Sequence, residues 1–299
     1  MPAWQPVSSW AGIWTRRPSA PPITSSPPAI CWHPKPKRKG QVPMSQSWLI
    51  LSGKGGVGKT MLTASLGMAL AKKGLSCCCV DADLGLRDLD LLLGMENSVV
   101  FDMLDVARKD CKLKYALLQH HQLTDLSLLP ASQNGSSKDL DAETFAKIVT
   151  KLKKRAGYVL TDAPAGVERG LKNLLPGSDY SILVTTPDDV SMRNAERVLA
   201  LLEEKHRPRP MLVVNRVNQK LVTEGDQYSP QTVANTLDVP LLGYIPEDPA
   251  VLAALNRHES FMNKDCPAAQ AVERISRRFL GEYVPLPEVK KKRRWFFSK

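Results

Sequence analysis

The sequence predicts a single α/β domain, a twisted and mostly parallel β-sheet with helices on both faces. Two observations carry that expectation. Short apolar runs of strand length recur along the chain with helical stretches between several of them, and the first run passes through a glycine-rich loop into a helix. Alternation of this kind places crossover helices on both sides of a parallel sheet. No run approaches the roughly 18 apolar residues of a membrane span.

Residues 1–43 hold ten prolines and several tryptophans without a periodic apolar pattern, so they are expected to be disordered. They lack the apolar stretch of a secretory signal. Met44 stands just before the first strand, and translation is expected to start there, leaving the preceding segment as an upstream artefact. Trp48–Ser52 is the first predicted strand. Leu62, Leu66, Ala69 and Leu70 then recur at helical spacing, with Gly74 placed to end that helix. Further strands are predicted near 77–80, 126–129, 158–160, 181–184, 211–214 and 241–245. The clearest later helix is Asp188–His206, where Ala195, Val198, Leu199 and Leu202 share one apolar face. One domain is expected over residues 44–283, followed by a linker and tail at 284–299.

The distribution of charge counts against bulk nucleic-acid binding while leaving room for a local patch. The formal net charge is +11, but residues 1–43 carry six basic and no acidic side chains and residues 290–299 carry six more basic ones; removing both sets leaves −1 for residues 44–289. A body so close to neutral has no bulk drive toward nucleic acid. The six cysteines (Cys31, Cys77, Cys78, Cys79, Cys111 and Cys266) show no metal-ligand spacing, and Cys77–Cys79 sit in an apolar run as small buried thiols, which implies a reducing cytoplasm.

The chemistry is concentrated after the first strand. Gly53, Lys54, Gly55, Gly56, Val57, Gly58, Lys59 and Thr60 spell G-x-x-x-x-G-K-T between a strand and a helix, the context that makes a P-loop. Glycines admit phosphate oxygens to the backbone, N–H groups at the helix start bind the anion, Lys59 reaches the terminal phosphates, and Thr60 offers a hydroxyl to Mg2+. ATP and Mg2+ are therefore the expected ligands. Asp81 and Asp83 close the second strand, where they would either serve the nucleotide or cap the next helix. Tyr158–Asp162 is an apolar strand ending in a carboxylate, the Walker B arrangement, with Asp162 placed to hold the magnesium shell.

The second lysine, Lys54, makes the string K-G-G-x-G-K-T, and the run Asp81 to Asp90 reads D-A-D-L-G-L-R-D-L-D. In these segments, and in Asp162-Ala-Pro-Ala-Gly166, the chain resembles the deviant Walker A ATPases, the ParA/MinD family, and within it the MinD branch. The resemblance runs from about Trp48 to the C-terminus. It implies that Lys54 acts across a nucleotide-sandwich homodimer, that Asp83 activates the attacking water, and that Asp81 lies near the magnesium and its waters. It also implies an adenine pocket at Asn215, Arg216, Pro246 and Asp248. Met61 stands where a second hydroxyl residue is common, a departure expected to weaken a contact to the α-phosphate; Asp88 stands where Asn is common.

Residues 286–299 read LPEVKKKRRWFFSK. Lys291, Lys292, Arg293 and Arg294 beside Trp295, Phe296 and Phe297 suit an anionic membrane surface. At roughly 1 kcal/mol per basic residue, one such tail binds marginally and two on a dimer hold. The resemblance thus implies a peripheral protein of the bacterial cytoplasm and inner membrane face, which regulates septum placement by recruiting a septation inhibitor and answers to an activating topological factor. Rival functions are a ParA-type DNA-segregation ATPase, a flagellar-number regulator of the same class, and a module that binds ATP only as a structural ligand.

Overall fold

The computed structural model describes residues 45–287 apart from residue 137. The readings placed on residues 1–43 and on the tail from Lys291 to Phe297 therefore lie outside the described residues. Within them the strands are β1 (Gln46–Leu51), β2 (Cys77–Asp81), β3 (Leu118–Gln119), β4 (Leu126–Leu129), β5 (Tyr158–Asp162), β6 (Tyr180–Thr185), β7 (Met211–Val217) and β8 (Leu241–Pro246). They form one eight-stranded sheet in the order β3-β4-β2-β5-β1-β6-β7-β8. Every pairing is parallel except β3 with β4, as the alternation of strands and helices predicts.

Alternate residues of β1 face opposite ways, and each side is covered. Leu49 and Leu51 join Phe145, Ile148 and Val198 in one core. On the other side Trp48 meets Phe279 of the helix Pro267–Phe279, with ring centroids 4.7 Å apart. The helix Lys59–Ala71 packs against that same last helix. It is buried on nearly all sides, consistent with its Ala, Leu and Met content.

Two expectations are adjusted. The helix foreseen over 188–206 runs Asp189–Glu204, capped by the Asp188 carboxylate on the Ser191 amide; Leu201 joins its buried face while Leu199 is only half buried. The strand foreseen at 211–214 continues to Val217, because register shifts against β8 let the chain carry on past Val214. Asn215 and Arg216 therefore lie within β7, the first buried and the second exposed.

The three central strands β2, β5 and β1 run side by side in one direction. Their C-terminal ends deliver Asp81, Asp162 and Ser52 to one edge of the sheet, where ligands of open parallel sheets bind.

Candidate nucleotide-binding site

The loop between β1 and the helix Lys59–Ala71 is held at both ends by contacts that tolerate no side chain. A Cβ on Gly53 would lie 2.1 Å from the carbonyl oxygen of Asn194, so the loop leaves the sheet flush against the helix Asp189–Glu204. Gly58 has φ +93°, and a Cβ there would lie 2.2 Å from Nδ2 of Asn215. That Nδ2 donates instead to the carbonyl of Val57 at 2.8 Å, tying the loop to β7. Between these anchors Lys54, Gly55 and Gly56 are exposed. The helix starts from Gly58 with no side-chain cap, which leaves first-turn amides directed at the loop's concavity as an anion site.

Charge is unbalanced beneath the loop. Lys59 is buried, with Nζ 3.2 Å from Oδ1 of Asp162 and 3.8 Å from Oδ2 of Asp83. The strand register sets Asp81 directly beside Asp162, so three carboxylates crowd this edge while the ammonium reaches two of them. Burial, and then the neighbouring Asp162, push the Asp81 carboxyl up to about 7. Burial also raises Asp83, although Lys59 opposes it. Asp162 is fully buried and raised by that burial against the pull of Lys59 and of the Thr60 and Thr63 hydroxyls. Its Oδ1 accepts from Lys59 and, at 3.1 Å, from Thr63 Oγ1. Its Oδ2 is buried without a hydrogen-bond partner. Thr63 escaped the sequence reading; its signal is its place one helical turn after Lys59.

These residues fit a magnesium ion. Among the described residues no three His, Cys, Asp or Glu side chains form a metal cage. Mg2+ does not require one, since it keeps waters and takes one or two protein oxygens together with phosphates. The orphaned Asp162 oxygen, the surplus of carboxylates and the half-buried Thr60 hydroxyl supply that kind of environment.

Asp81 also meets its alternative description. Its Oδ1 accepts the amide of Asp83 at 3.1 Å, and its Oδ2 accepts the amide of Leu89, the first residue of the helix Leu89–Leu93, at 3.2 Å. One carboxylate thus serves the site and fastens the segment that carries Asp83. Further along, Arg87 adopts φ +54° and its Nε donates to Asp90 at 2.6 Å. Leu86 is left 63% exposed.

A cavity of about 640 Å³ opens beside the loop, reached by Gly58, Met61, Asn215, Arg216, Pro246 and Asp248. Its size suits a nucleoside. Met61, at the position marked as a departure, contributes an apolar wall; Glu247, which stands between Pro246 and Asp248 in the segment the resemblance implies, lines the space, as does Leu252, which was not foreseen. Asp248 borders the cavity, but its oxygens are engaged elsewhere. Oδ1 accepts from Ala250 at 2.9 Å and Oδ2 from Ala268 at 3.0 Å, so it caps the helices Pro249–Leu255 and Pro267–Phe279 together. Those two bonds hold its carboxyl below the ordinary range against the cost of its burial.

Lys54 stands apart from all this. It is exposed and makes no ion pair among the described residues. Its charge reaches Asp188, whose burial is outweighed by bonds from Thr186 and Ser191 and by that lysine.

Residues 48–261 match the CobQ/CobB/MinD/ParA nucleotide binding domain. The chain belongs to this family. Among its members it is similar to the septum site-determining protein MinD of Helicobacter pylori, with 39% identity over 254 residues, 83% of this chain and 95% of that one. It is also similar in structure to MinD of the MinC:MinD cell division complex from Aquifex aeolicus (TM-score 0.76, 37% identity, 82% of this chain and 99% of that one). A further likeness is to the septum site-determining protein MinD from Pyrococcus horikoshii complexed with Mg-ADP (TM-score 0.71, 27% identity, 79% of this chain and 96% of that one). As a CobQ/CobB/MinD/ParA domain the chain is a nucleotide-binding P-loop protein, and the loop, the carboxylates and the cavity are assembled at the sheet edge that such a domain uses.

Proposed function

We propose that this chain is an ATP-hydrolysing, dimerising switch that works at the inner face of a bacterial membrane to place the division septum. Its relatives named septum site-determining protein, and the MinC:MinD complex among its structural likenesses, support that role. The observation that carries the mechanism is the contrast between the two loop lysines: Lys59 is buried against Asp162, while Lys54 is exposed and makes no ion pair among the described residues.

In one protomer the loop amides and Lys59 bind the triphosphate, Asn215 and the cavity beside Met61 take the base, and Asp162 and Thr60 would hold the shell of a magnesium ion. The ion supplies charge neutralisation at the phosphate oxygens. Asp83, with Oδ2 3.8 Å from the Lys59 ammonium, would orient a water and accept its proton. Lys54 then meets the triphosphate bound in a second copy of the chain, and a cation there stabilises charge on the transferring phosphoryl group. Dimerisation brings two basic-aromatic tails to one anionic surface, raising affinity without new contacts. The dimer recruits a septation inhibitor, and hydrolysis, stimulated by an activating partner, releases it.

The test is sedimentation of the purified chain with anionic liposomes in ATP or ADP, beside a Lys54→Ala variant and a version ending at Val289. The expected result is binding that requires ATP, Lys54 and the tail together. Binding indifferent to nucleotide would leave a constitutive anchor. No binding, with ATP-dependent retention of duplex DNA, would replace this function by DNA segregation.

A further inference from the structure

A second cavity, about 750 Å³, lies outside the nucleotide site. Its rim carries six exposed cations: Lys109, Lys112, Lys114, Lys151, Lys154 and Arg155. Val106 and Leu113 line its base with only 8% of their surface exposed, and Cys111 and the methylene stems of the lysines complete the apolar floor. The cations come from two segments that pack together, the helices Met103–Arg108 and Leu113–Ala116 with their connecting loop, and the end of the helix Ala142–Leu152. None of the six makes an ion pair among the described residues.

The acids of these two segments do little to balance them. Asp102 and Asp105 bond each other's backbone amides in the capping box of the helix Met103–Arg108, and together with the exposed Asp110 they act on Cys111 of the cavity wall, so three carboxylates face six cations and the rim stays positive. Residues 44–289 sum to only −1. So dense a positive patch on a nearly neutral body is a focused field rather than a general excess.

The sheet order separates this groove from the tail. One half of the groove is built on the segment that leads into β3, the edge opposite β8, and the other half on the end of the helix Ala142–Leu152, which leads into the central strand β5. The chain runs past β8 on its way to the tail, with the Tyr244 hydroxyl donating to the carbonyl of Pro287 at 3.2 Å. Seven inter-strand spacings put the two edges roughly 30 to 35 Å apart. On the membrane reading, the half of the groove on the β3 side lies away from the β8 edge and stays open to the aqueous side.

We propose that this groove docks an acidic, partly apolar segment of a soluble protein partner. Carboxylates would meet the lysine rim, and aliphatic or aromatic side chains of the segment would cover Val106 and Leu113. The floor favours such a segment over a nucleic-acid backbone, which would use the cations and leave the apolar surface bare. Only the direction in which the groove faces rests on the membrane reading; the recognition chemistry stands without it.

The experiment is done in solution on the full chain. A fluorescein-labelled peptide repeating Glu-Glu-Leu-Glu is titrated with the native protein and with K112E/K154E, followed by anisotropy at low and moderate salt. Competitors are a polyglutamate of equal charge, a short duplex DNA and phosphatidylglycerol vesicles. Unchanged circular dichroism and ATP affinity certify the fold of the variant. The expected result is saturable binding weakened by at least about tenfold in the charge-reversed chain, with polyglutamate a poorer competitor than the mixed peptide. Equal binding by both proteins would overturn the proposal. So would displacement by DNA or vesicles at lower concentration than by the peptide itself. If the liposome test of the preceding subsection fails while this one succeeds, the membrane switch is lost and the groove remains a protein-docking site.

Discussion

At the residue scale, the informative groups are those whose charge state the fold disturbs. Asp81 is raised to about 7 from an ordinary 3.8 by burial and by the adjacent Asp162. Between those two values the folded chain keeps a proton that the unfolded chain has released, so stability falls as pH rises through that window. Asp81→Asn removes the titration while keeping an oxygen for a backbone amide. In metal-free urea melts, the variant should match the native chain near the lower end of the window and exceed it above pH 7. At about 1.4 kcal/mol per unit, the upper bound is about 4 kcal/mol. A stability difference that stays constant across pH would mean that Asp81 does not carry the strain. The sequence marked Asp81, Asp83, Lys59 and Asp162 correctly as neighbours, because a P-loop and two acid-terminated strands of a parallel sheet have few ways to converge. It gave no sign that Asp162 keeps one oxygen unpartnered, since that depends on which hydroxyls and ammonium reach it.

At the scale of elements, Asp248 shows how a residue can border a site and belong to the frame. Its carboxylate joins two helix starts that are distant in sequence, through Ala250 and Ala268. Asp248→Ala should lower stability by about 2 kcal/mol, near 1 for each lost cap, whereas Asp248→Asn retains part of the capping. Chemical denaturation of both variants, beside nucleotide titration, separates the roles. A loss of nucleotide affinity out of proportion to the loss of stability would make Asp248 a direct ligand contact. The strands with long apolar runs were readable because burial on both faces leaves a continuous hydrophobic signature. β3 was not, since Leu118–Gln119 is a two-residue antiparallel edge held by its pairing with Ser127 and Leu128. The short helices Met103–Arg108 and Leu113–Ala116 lacked the length over which helical periodicity accumulates. The extension of β7 through Asn215 depends on register shifts against β8, a tertiary event that local pattern does not encode.

At the scale of the whole molecule, the site is a region of stored repulsion placed at the C-terminal ends of the three central strands. Lys59 alone opposes Asp81, Asp83 and Asp162, and a triphosphate adds further negative charge within a few ångströms. Nucleotide binding should therefore couple strongly to a divalent cation and, through the sheet, to unfolding of the entire domain. With Mg-ATP at about one hundred times its dissociation constant, linkage contributes about 2.7 kcal/mol. For a domain of this size that raises the melting temperature by roughly 5 to 10 °C. Excess EDTA at the same ATP concentration should abolish most of the shift, because Asp81 and Asp162 then face the phosphates unscreened. In Asp162→Asn one of those charges is gone, so part of the shift should survive EDTA even as the magnesium-dependent increment shrinks. Scanning calorimetry of both chains, with and without chelator, reads each quantity directly. An ATP shift in the native chain that is the same with and without EDTA would show that Lys59 and the loop amides outweigh the three carboxylates by themselves, and that the acidic edge is not what makes the nucleotide site depend on its metal.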